Sequence, residues 1–382
     1  MLVPYGDFLY FYLMILALIP AIIVGLLGKR IKWYGLPASL LMVYLIFGKS
    51  KQQAEYLILF FIMEFLLIIF YSFIIKKFKQ RWLLWIMIAI GLSPLLYSKL
   101  GNIFIHKELG FLGISYLTFK IIQILIQIFD GYITKINVFD LAYFILFFPT
   151  LSSGPIDRSI RFTEESNKAI TSRQYVEYLG DGIFKILQGV GYKFLIGFYI
   201  QTHFINVILL RPHTLSNTII YMYSYSFYLF FDFAGYSLIA IGVSYIMGIK
   251  TPDNFNLPFI SKDIKEFWNR WHMSLSFWFR DFIYNRFVMT AIKKKWFKSR
   301  YTASYIGFMI NMITMGLWHG IQLNYVVYGA FHAVLLIVTD LFQRKSFYKK
   351  HKKKVYFKIA STFLTFNLVC FSFLIFSGFL FK

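Results

Sequence analysis

The sequence has a single cysteine, Cys370, which lies in an apolar run near the C-terminus. One cysteine excludes an internal disulfide and a thiolate metal cluster, and we expect Cys370 to pack as a small buried side chain. The sequence also lacks the glycine-rich motifs that bind ATP or dinucleotides, the H-E-x-x-H zinc motif and the G-x-S-x-G serine elbow. It therefore indicates neither a metal site nor a cofactor of the protein's own, and no serine nucleophile.

Charged residues are also scarce. They make up 15% of the chain, against 58% hydrophobic residues, and the mean hydropathy is +0.62. No water-soluble domain has this balance, which predicts an integral membrane protein. The charges present are mostly basic, with a net charge of +23. Because the lysines cluster in short loops between apolar runs, they indicate cytoplasmic loops and an anionic leaflet or acidic partner rather than nucleic acid.

The apolar runs predict an all-α, polytopic protein of the cell membrane. A span needs about 20 apolar residues, and Phe8–Leu27, Tyr56–Ile75 and Phe357–Phe381 qualify. Counting every run gives roughly ten or eleven transmembrane helices, with re-entrant and amphipathic helices around a central funnel or tunnel. Ser152–Pro155 predicts a helix break at membrane depth, which is tolerated only where protein or a watery cavity surrounds it.

Polar residues concentrate in one stretch, Asn254–Arg286, which holds His272. We predict an amphipathic helix over Ile264–Arg286. A second polar island, Met315–Gly320, places His319 between glycines inside an apolar run. We expect the flanking glycines to break the helix there and to allow a substrate to approach closely. Ionisable groups at this depth indicate a cavity, a partner or a catalytic role.

A histidine base is the chemistry that these residues favour. Imidazole titrates near pH ~6.5, so His319 can accept a proton at physiological pH. A purely structural His319, bonded to a backbone carbonyl, is the competing interpretation. His272 lies among charges and is better suited to orient a group or to donate a hydrogen bond. Asp232 lies in a tyrosine-rich run and is expected to accept hydrogen bonds.

Two blocks resemble the membrane-bound O-acyltransferases: NFNLPFISKDIKEFWNRWHMSLSFWFRDFIY and MGLWHG. FDFAGYSLIAIG and FFPTLSSGPIDR are similar to further blocks of the family. The resemblance runs from Leu112 to the C-terminus, and it implies one transmembrane domain over residues 1–382. Residues 1–110 would form less specific N-terminal helices, residues 111–342 the family core, and residues 343–382 a basic loop and the last helix.

Within the family the blocks are most similar to the Gram-positive members that D-alanylate teichoic acids. This implies that D-alanine comes from a phosphopantetheine thioester on an acidic cytosolic carrier protein and passes to a hydroxyl outside, for lipoteichoic acid biosynthesis in the cell wall. Teichoic acid, membrane lipids and other membrane proteins of the D-alanylation pathway would be the further partners.

The resemblance places the family's catalytic histidine on His319 and its second, more variable polar residue on His272. Further residues are assigned by their position in the same blocks. The expected substrate-binding or tunnel residues are Trp271, Ser274, Ser276, Trp318, Asp232 and Arg270. The expected docking residues for the carrier are Lys262, Lys265, Arg280 and Arg286.

Two other functions remain open from the sequence. Alginate-type O-acetyltransferases of exported polysaccharides share the block around His272, so the block does not fix the acyl group. Those enzymes are usually longer. A transporter or flippase would also use intramembrane histidines and broken helices, but the hydropathy pattern shows no inverted repeat.

Overall fold

The computed structural model describes residues 3–104, 110–152 and 154–381, without the side chains of residues 102–104. Every regular element in these ranges is helical. The α-helices are α1 (Phe8–Leu26), α2 (Lys32–Phe47), α3 (Lys51–Ile74), α4 (Arg81–Phe104), α5 (Ile114–Asp130), α6 (Val138–Leu146), α7 (Ser159–Asn167), α8 (Ser172–Val190), α9 (Phe198–Ile200), α10 (Asn206–Leu209), α11 (Leu215–Ile246), α12 (Ile264–Trp268), α13 (Met273–Phe279), α14 (Asn285–Lys293), α15 (Arg300–His319), α16 (Leu323–Arg344), α17 (Ser346–His351) and α18 (Val355–Phe376).

Several helices are joined by tighter or wider turns. The π-helical segments are Gly191–Gly197, Gln201–Ile205 and Arg280–Tyr284, and the 3₁₀ turns are Phe148–Thr150, Pro258–Ile260 and Phe379–Phe381. The first two π-helical segments link α8, α9 and α10 into one helical run, Ser172–Leu209.

Seven of the described helical runs are long and apolar enough to cross a membrane, and α2 is a shorter apolar helix. The seven are Phe8–Leu26, Lys51–Ile74, Arg81–Gly101, Ser172–Leu209, Leu215–Ile246, Leu323–Arg344 and Val355–Phe376. The prediction of an all-α, multi-pass membrane protein is confirmed. The higher count of spans and the central funnel stay predictions.

The chain divides into two compact units. Unit 1 comprises Met1–Gly189 and Tyr236–Pro252, and unit 2 comprises Val190–Gly235 and Asp253–Lys382. Both candidate histidines belong to unit 2. The predicted boundaries near residues 110 and 342 stay predictions.

Unit 1 packs around α5, most of whose residues are buried. Lys120 lies inside this helix with 1% of its surface exposed. Its Nζ donates hydrogen bonds to the carbonyl of Phe144 at 3.0 Å and to Thr150 Oγ1 at 3.3 Å. A buried ammonium is costly without such acceptors, so this lysine fixes the end of α6 and the 3₁₀ turn after it against α5.

The predicted break at Ser152–Pro155 is present as irregular backbone after the 3₁₀ turn Phe148–Thr150, and Ser153 lies outside the described residues. Ser152, Gly154 and Pro155 are buried. The Ser152 and Tyr236 hydroxyls are 2.6 Å apart and share a hydrogen bond. The break is thus enclosed by protein, as irregular backbone at membrane depth requires.

In unit 2, glycines bring α15 and α16 into close contact. A Cβ added to Gly316 would lie 2.3 Å from the carbonyl oxygen of Tyr325, and one added to Gly329 would lie 2.4 Å from that of Met312. The expectation that Gly316 breaks the helix was wrong, since α15 continues to His319. Because Gly316 has no Cβ, α16 can pack against it, and α15 ends only at Gly320.

Candidate active site

The polar stretch does not form the single amphipathic helix predicted over Ile264–Arg286. α12 begins after Asp263, whose Oδ1 accepts the backbone N–H of Glu266 at 2.9 Å. The chain leaves helical geometry between α12 and α13, where His272 has φ 43° and ψ 51°. The π-helical Arg280–Tyr284 then joins α13 to α14. The prediction of a continuous helix was wrong because a left-handed residue interrupts it.

The left-handed backbone at His272 is held in place by Asn254. The Asn254 carbonyl accepts the N–H of Met273 at 2.9 Å. Asn254 Oδ1 accepts both the N–H of Ser274, at 3.2 Å, and its hydroxyl, at 2.8 Å. The hydroxyl of Ser276 donates to the carbonyl of the residue before His272 at 3.0 Å. A non-glycine residue in this conformation costs about 1–3 kcal/mol, and these bonds fix it. Both serines therefore have structural partners.

The His272 side chain is 3% exposed and packs between aromatic rings. Its ring centroid lies 4.7 Å from that of Phe233 and 6.4 Å from that of Phe255. Its Nε2 has no hydrogen-bond partner among the residues that the structure describes. Burial, and secondly the nearby His319, lower the pKa of His272 to about 3. The imidazole of His272 is therefore neutral at physiological pH, and the residue lies outside the seven candidate spans.

His319 is the last residue of α15, and the extended backbone of Gly320 follows it. The imidazole is partly buried among aromatic rings. Ring centroids lie 4.5 Å away at Trp318, 4.9 Å at Phe376, 6.1 Å at Tyr325 and 6.3 Å at Tyr328. Trp318, predicted to bind substrate or line a tunnel, is part of this aromatic shell, and its predicted role stays a prediction.

The fold brings His272 and His319 within electrostatic range of each other, since a charge on His319 lowers the pKa of His272. One imidazole is partly accessible and the other is buried and neutral. Such a pair can divide two tasks, with one ring exchanging a proton and the other donating a hydrogen bond. The catalytic roles of His319 and His272 stay predictions at this point.

Trp271 belongs to a hydrophobic wall rather than to a polar site. It is 5% exposed. Its ring contacts Phe373, Phe255 and Phe267 at centroid distances of 4.7, 5.1 and 5.7 Å. These rings form a packed hydrophobic cluster beside His272.

Two further predicted site residues are ion-paired within unit 2. Asp232 Oδ1 lies 2.5 Å from Lys193 Nζ. Arg270 donates from Nε and Nη2 to Glu266 Oε1 at 3.0 and 2.8 Å, and from Nη1 to the carbonyl of Asn256 at 3.1 Å. Both side chains therefore have structural partners, and Arg270 ties α12 to the segment before it.

The four predicted docking residues differ in exposure. Lys262 and Arg280 are exposed, and Arg280 Nε lies 3.0 Å from Asp281 Oδ1. Lys265 Nζ donates to Asp340 Oδ1 at 2.7 Å and to the side chain of Gln343 at 3.1 Å, linking α12 to α16. Arg286 is partly buried. Lys262 and Arg280 are thus the better placed of the four to meet a partner.

Several residues around the histidines were not predicted from the sequence. They are Asn254, Phe233, Phe255, Tyr328, Phe376 and His332. His332 is fully buried one turn after Tyr328, with their ring centroids 4.7 Å apart. Neither of its ring nitrogens has a hydrogen-bond partner among the described residues. A second buried histidine close to His319 had no signal beyond its position in an apolar helix.

The described residues contain no group of three or more His, Cys, Asp or Glu that would hold a metal ion. The arrangement around His319 instead combines three imidazoles, those of His319, His272 and His332, with aromatic rings. What it offers chemically is proton exchange and hydrogen-bond donation where water is partly excluded.

Comparison with known proteins relates the chain to enzymes of one kind. It is 45% identical over 98% of its length to the teichoic acid D-alanyltransferase of Bacillus subtilis (strain 168), covering 98% of that protein. It is 40% identical over 99% of its length to the teichoic acid D-alanyltransferase of Lacticaseibacillus rhamnosus, again covering 98% of it.

A probable alginate O-acetylase of Pseudomonas fluorescens is more distant. It is 30% identical over 68% of this chain, which covers 51% of that protein. The model of the membrane-bound O-acyltransferase family matches residues 61–380, which include both histidines and parts of both units. The chain therefore belongs to the membrane-bound O-acyltransferase family and is a multi-pass membrane acyltransferase.

Proposed function

We propose that this enzyme transfers D-alanine from the thioester of a carrier protein to a hydroxyl group, in the D-alanylation of teichoic acid. The observation that carries the proposal is the pairing of His319 with the buried, neutral His272 inside a family match that covers both. The near full-length similarity to teichoic acid D-alanyltransferases supports the choice of acyl group and acceptor.

His319 acts as the general base. The acceptor hydroxyl attacks the thioester carbonyl carbon while its proton passes to the imidazole of His319. The carbon–sulfur bond of the tetrahedral intermediate then breaks, and the departing thiolate takes the proton from the imidazolium. An ester and a free thiol result, and His319 is neutral again. A base of this kind contributes about 10²–10⁴-fold to the rate.

We assign His272 a role different from that of His319. With its pKa lowered to about 3, it is neutral and only a weak base at physiological pH. A neutral imidazole can still donate one hydrogen bond, and its Nε2 accepts or donates none to the described residues. We assign it the stabilisation of the negative charge on the carbonyl oxygen, a role worth about 10²–10³-fold in other acyl transfer sites.

The thioester itself comes from a phosphopantetheine arm on an acidic carrier protein. No cofactor of the enzyme's own is needed, because the acyl group arrives activated. The net charge of +23 supports an acidic partner by steering its approach. Lys262 and Arg280 are exposed cations close in sequence to His272 and are the docking residues that we assign first. Other membrane proteins of the D-alanylation pathway complete the route to teichoic acid.

The test is donor specificity in membranes that contain the full chain. One reaction receives an acidic carrier protein charged with radiolabelled D-alanine, and a parallel reaction receives radiolabelled acetyl donors. We expect label from the D-alanyl carrier alone to reach an exported polymer or a partner hydroxyl. Transfer from acetyl donors with none from the D-alanyl carrier would replace this function by polysaccharide O-acetylation.

A further inference from the structure

A basic pocket lies in unit 1, where three candidate membrane spans have their ends. α1 ends at Leu26, just before Lys29, Arg30 and Lys32, which line the pocket. The span Leu215–Ile246 ends where a second part of the lining, Met247–Ile249, begins. The third span begins at Ser172 and brings Tyr175 to the wall. A pocket formed by span ends lies at the boundary between hydrocarbon and water.

Tyr175 fixes these three helix ends together. A Cβ on Gly25 of α1 would lie 2.3 Å from the Tyr175 ring, so the ring packs directly on the α1 backbone. The Tyr175 hydroxyl donates to the carbonyl of Ile246, at the end of α11, at 2.8 Å. The pocket wall is therefore a packed junction of helices and not a loose loop.

The charge inside the pocket is predominantly positive. Four cations line it, Lys29, Arg30, Lys32 and Lys168, against one carboxylate, Glu165. Lys32 is buried, and its Nζ already has partners. It forms an ion pair with Asp140 and donates to Asn167 Oδ1 at 2.7 Å. The other three cations are exposed and have no ion pair among the described residues.

Glu165 lowers this surplus without removing it. Its Oε2 is buried and has no hydrogen-bond partner among the described residues. By formal charge, the three cations without an ion pair outnumber the single carboxylate by two. This positive excess attracts an anionic phosphodiester, whose oxygens accept hydrogen bonds from Lys and Arg donors.

We propose that this pocket binds the phosphate of an anionic lipid headgroup, such as phosphatidylglycerol. The position at the span ends sets a phosphate at headgroup depth, and exposed apolar side chains at those ends, such as Leu26 and Val176, are available to the acyl chains. Basic pockets between helix ends at the cytoplasmic side bind anionic headgroups in this way. The cations also place this end of α1 on the cytoplasmic side by the positive-inside rule.

The test measures lipid binding to the full-length protein by native mass spectrometry from mixed micelles. Short-chain phosphatidylglycerol, short-chain phosphatidylcholine and inorganic phosphate are titrated separately. We expect phosphatidylglycerol to bind at least ~10-fold more tightly than phosphatidylcholine, because each basic residue near an anionic headgroup contributes several-fold. Equal affinities for the two lipids would overturn the proposal. Inorganic phosphate binding as tightly as phosphatidylglycerol would overturn the assignment to a lipid.

Variants that remove either the positive or the negative charges of the pocket test whether the lipid binds there. Replacing Lys29, Arg30 and Lys168 by Gln should weaken phosphatidylglycerol binding ~10-fold or more, whereas Glu165→Gln should tighten it severalfold. The matched control replaces three lysines of the basic run 349–354, at positions 349, 350 and 352, by Gln, which removes the same charge elsewhere. An equal loss in the control would refute a specific pocket, as would weaker binding by Glu165→Gln.

Discussion

Gly316→Ala tests whether the close approach of α15 and α16 positions the catalytic histidine. The added Cβ would lie 2.3 Å from the backbone carbonyl oxygen of Tyr325. A backbone atom cannot rotate away, so the two helices must separate by several tenths of an ångström to relieve the contact. Overpacking of this kind costs about 1–3 kcal/mol. His319 lies three residues further along the same helix and moves with it.

The expected result is a loss of both stability and rate. A misplacement of about 1 Å costs on the order of 10²-fold in rate, so we expect kcat for acyl transfer to fall ~10- to 100-fold. The unfolding temperature in detergent should fall as well. Both quantities are measured on purified protein, the rate with a D-alanyl carrier as donor.

Gly180→Ala is the matched control. It lies exposed within α8, and no atom stands within 4 Å of the Cβ it would gain. Alanine favours a helix interior over glycine by about 1 kcal/mol, so this variant should keep its rate and be equally or more stable. A Gly316→Ala enzyme with the stability and rate of the wild type would refute the argument from close packing.

Three further predictions concern the site. Asn254→Ala removes the acceptor that holds the start of α13. A buried donor left unpaired costs about 1–3 kcal/mol, so unfolding temperature and kcat should both fall, and Asn254→Asp, which keeps the acceptor, should lose less of each. The pKa of His272 is lowered to about 3 in the folded protein. Below pH ~6.5 this histidine is therefore protonated in the unfolded chain but stays neutral in the folded one. Stability should therefore decline as the pH falls from ~6.5 towards 5, by about 1.5 kcal/mol more than in His272→Gln. Lys262→Gln should raise KM for the carrier without loss of stability, whereas Lys265→Gln should lower the unfolding temperature because it breaks the ion pair with Asp340.

Each of these has a clear contrary result. Equal rates and unfolding temperatures for the two Asn254 variants would show that the carbonyl acceptor does not hold the site. A His272→Gln enzyme with the same pH dependence of stability as the wild type would show that His272 is protonated like a solvent-exposed imidazole. A higher KM in Lys265→Gln with unchanged stability would assign that lysine to carrier binding.

The membrane helices were predictable because apolar run length is a strong signal. Phe8–Leu27 and Tyr56–Ile75 correspond to α1 (Phe8–Leu26) and α3 (Lys51–Ile74) within a few residues at their ends. The sequence also singled out His272 and His319, because each stands in a polar block that apolar packing alone does not explain. The structure places both in unit 2 and brings His319 near enough to lower the pKa of His272, while their catalytic roles stay predictions.

The local backbone around the histidines was not predictable in the same way. No glycine or proline marks the left-handed turn at His272, which depends on hydrogen bonds from Asn254, distant in sequence. Gly316 shows the reverse case. The sequence predicts a helix break at this glycine, but it lies inside a continuous helix because the backbone of α16 packs where a Cβ would be. Tertiary contacts decide both conformations, and a single sequence does not show them.

The most direct test of the central claim is the rate of D-alanyl transfer by His319→Ala at saturating carrier, with carrier binding measured on the same preparation. The control is His203→Ala, an exposed histidine of the same unit. We predict a rate ~10²–10⁴-fold below wild type for His319→Ala, with carrier binding unchanged and the His203 control at the wild-type rate. Transfer by His319→Ala at the wild-type rate would contradict the assignment of His319 as the base.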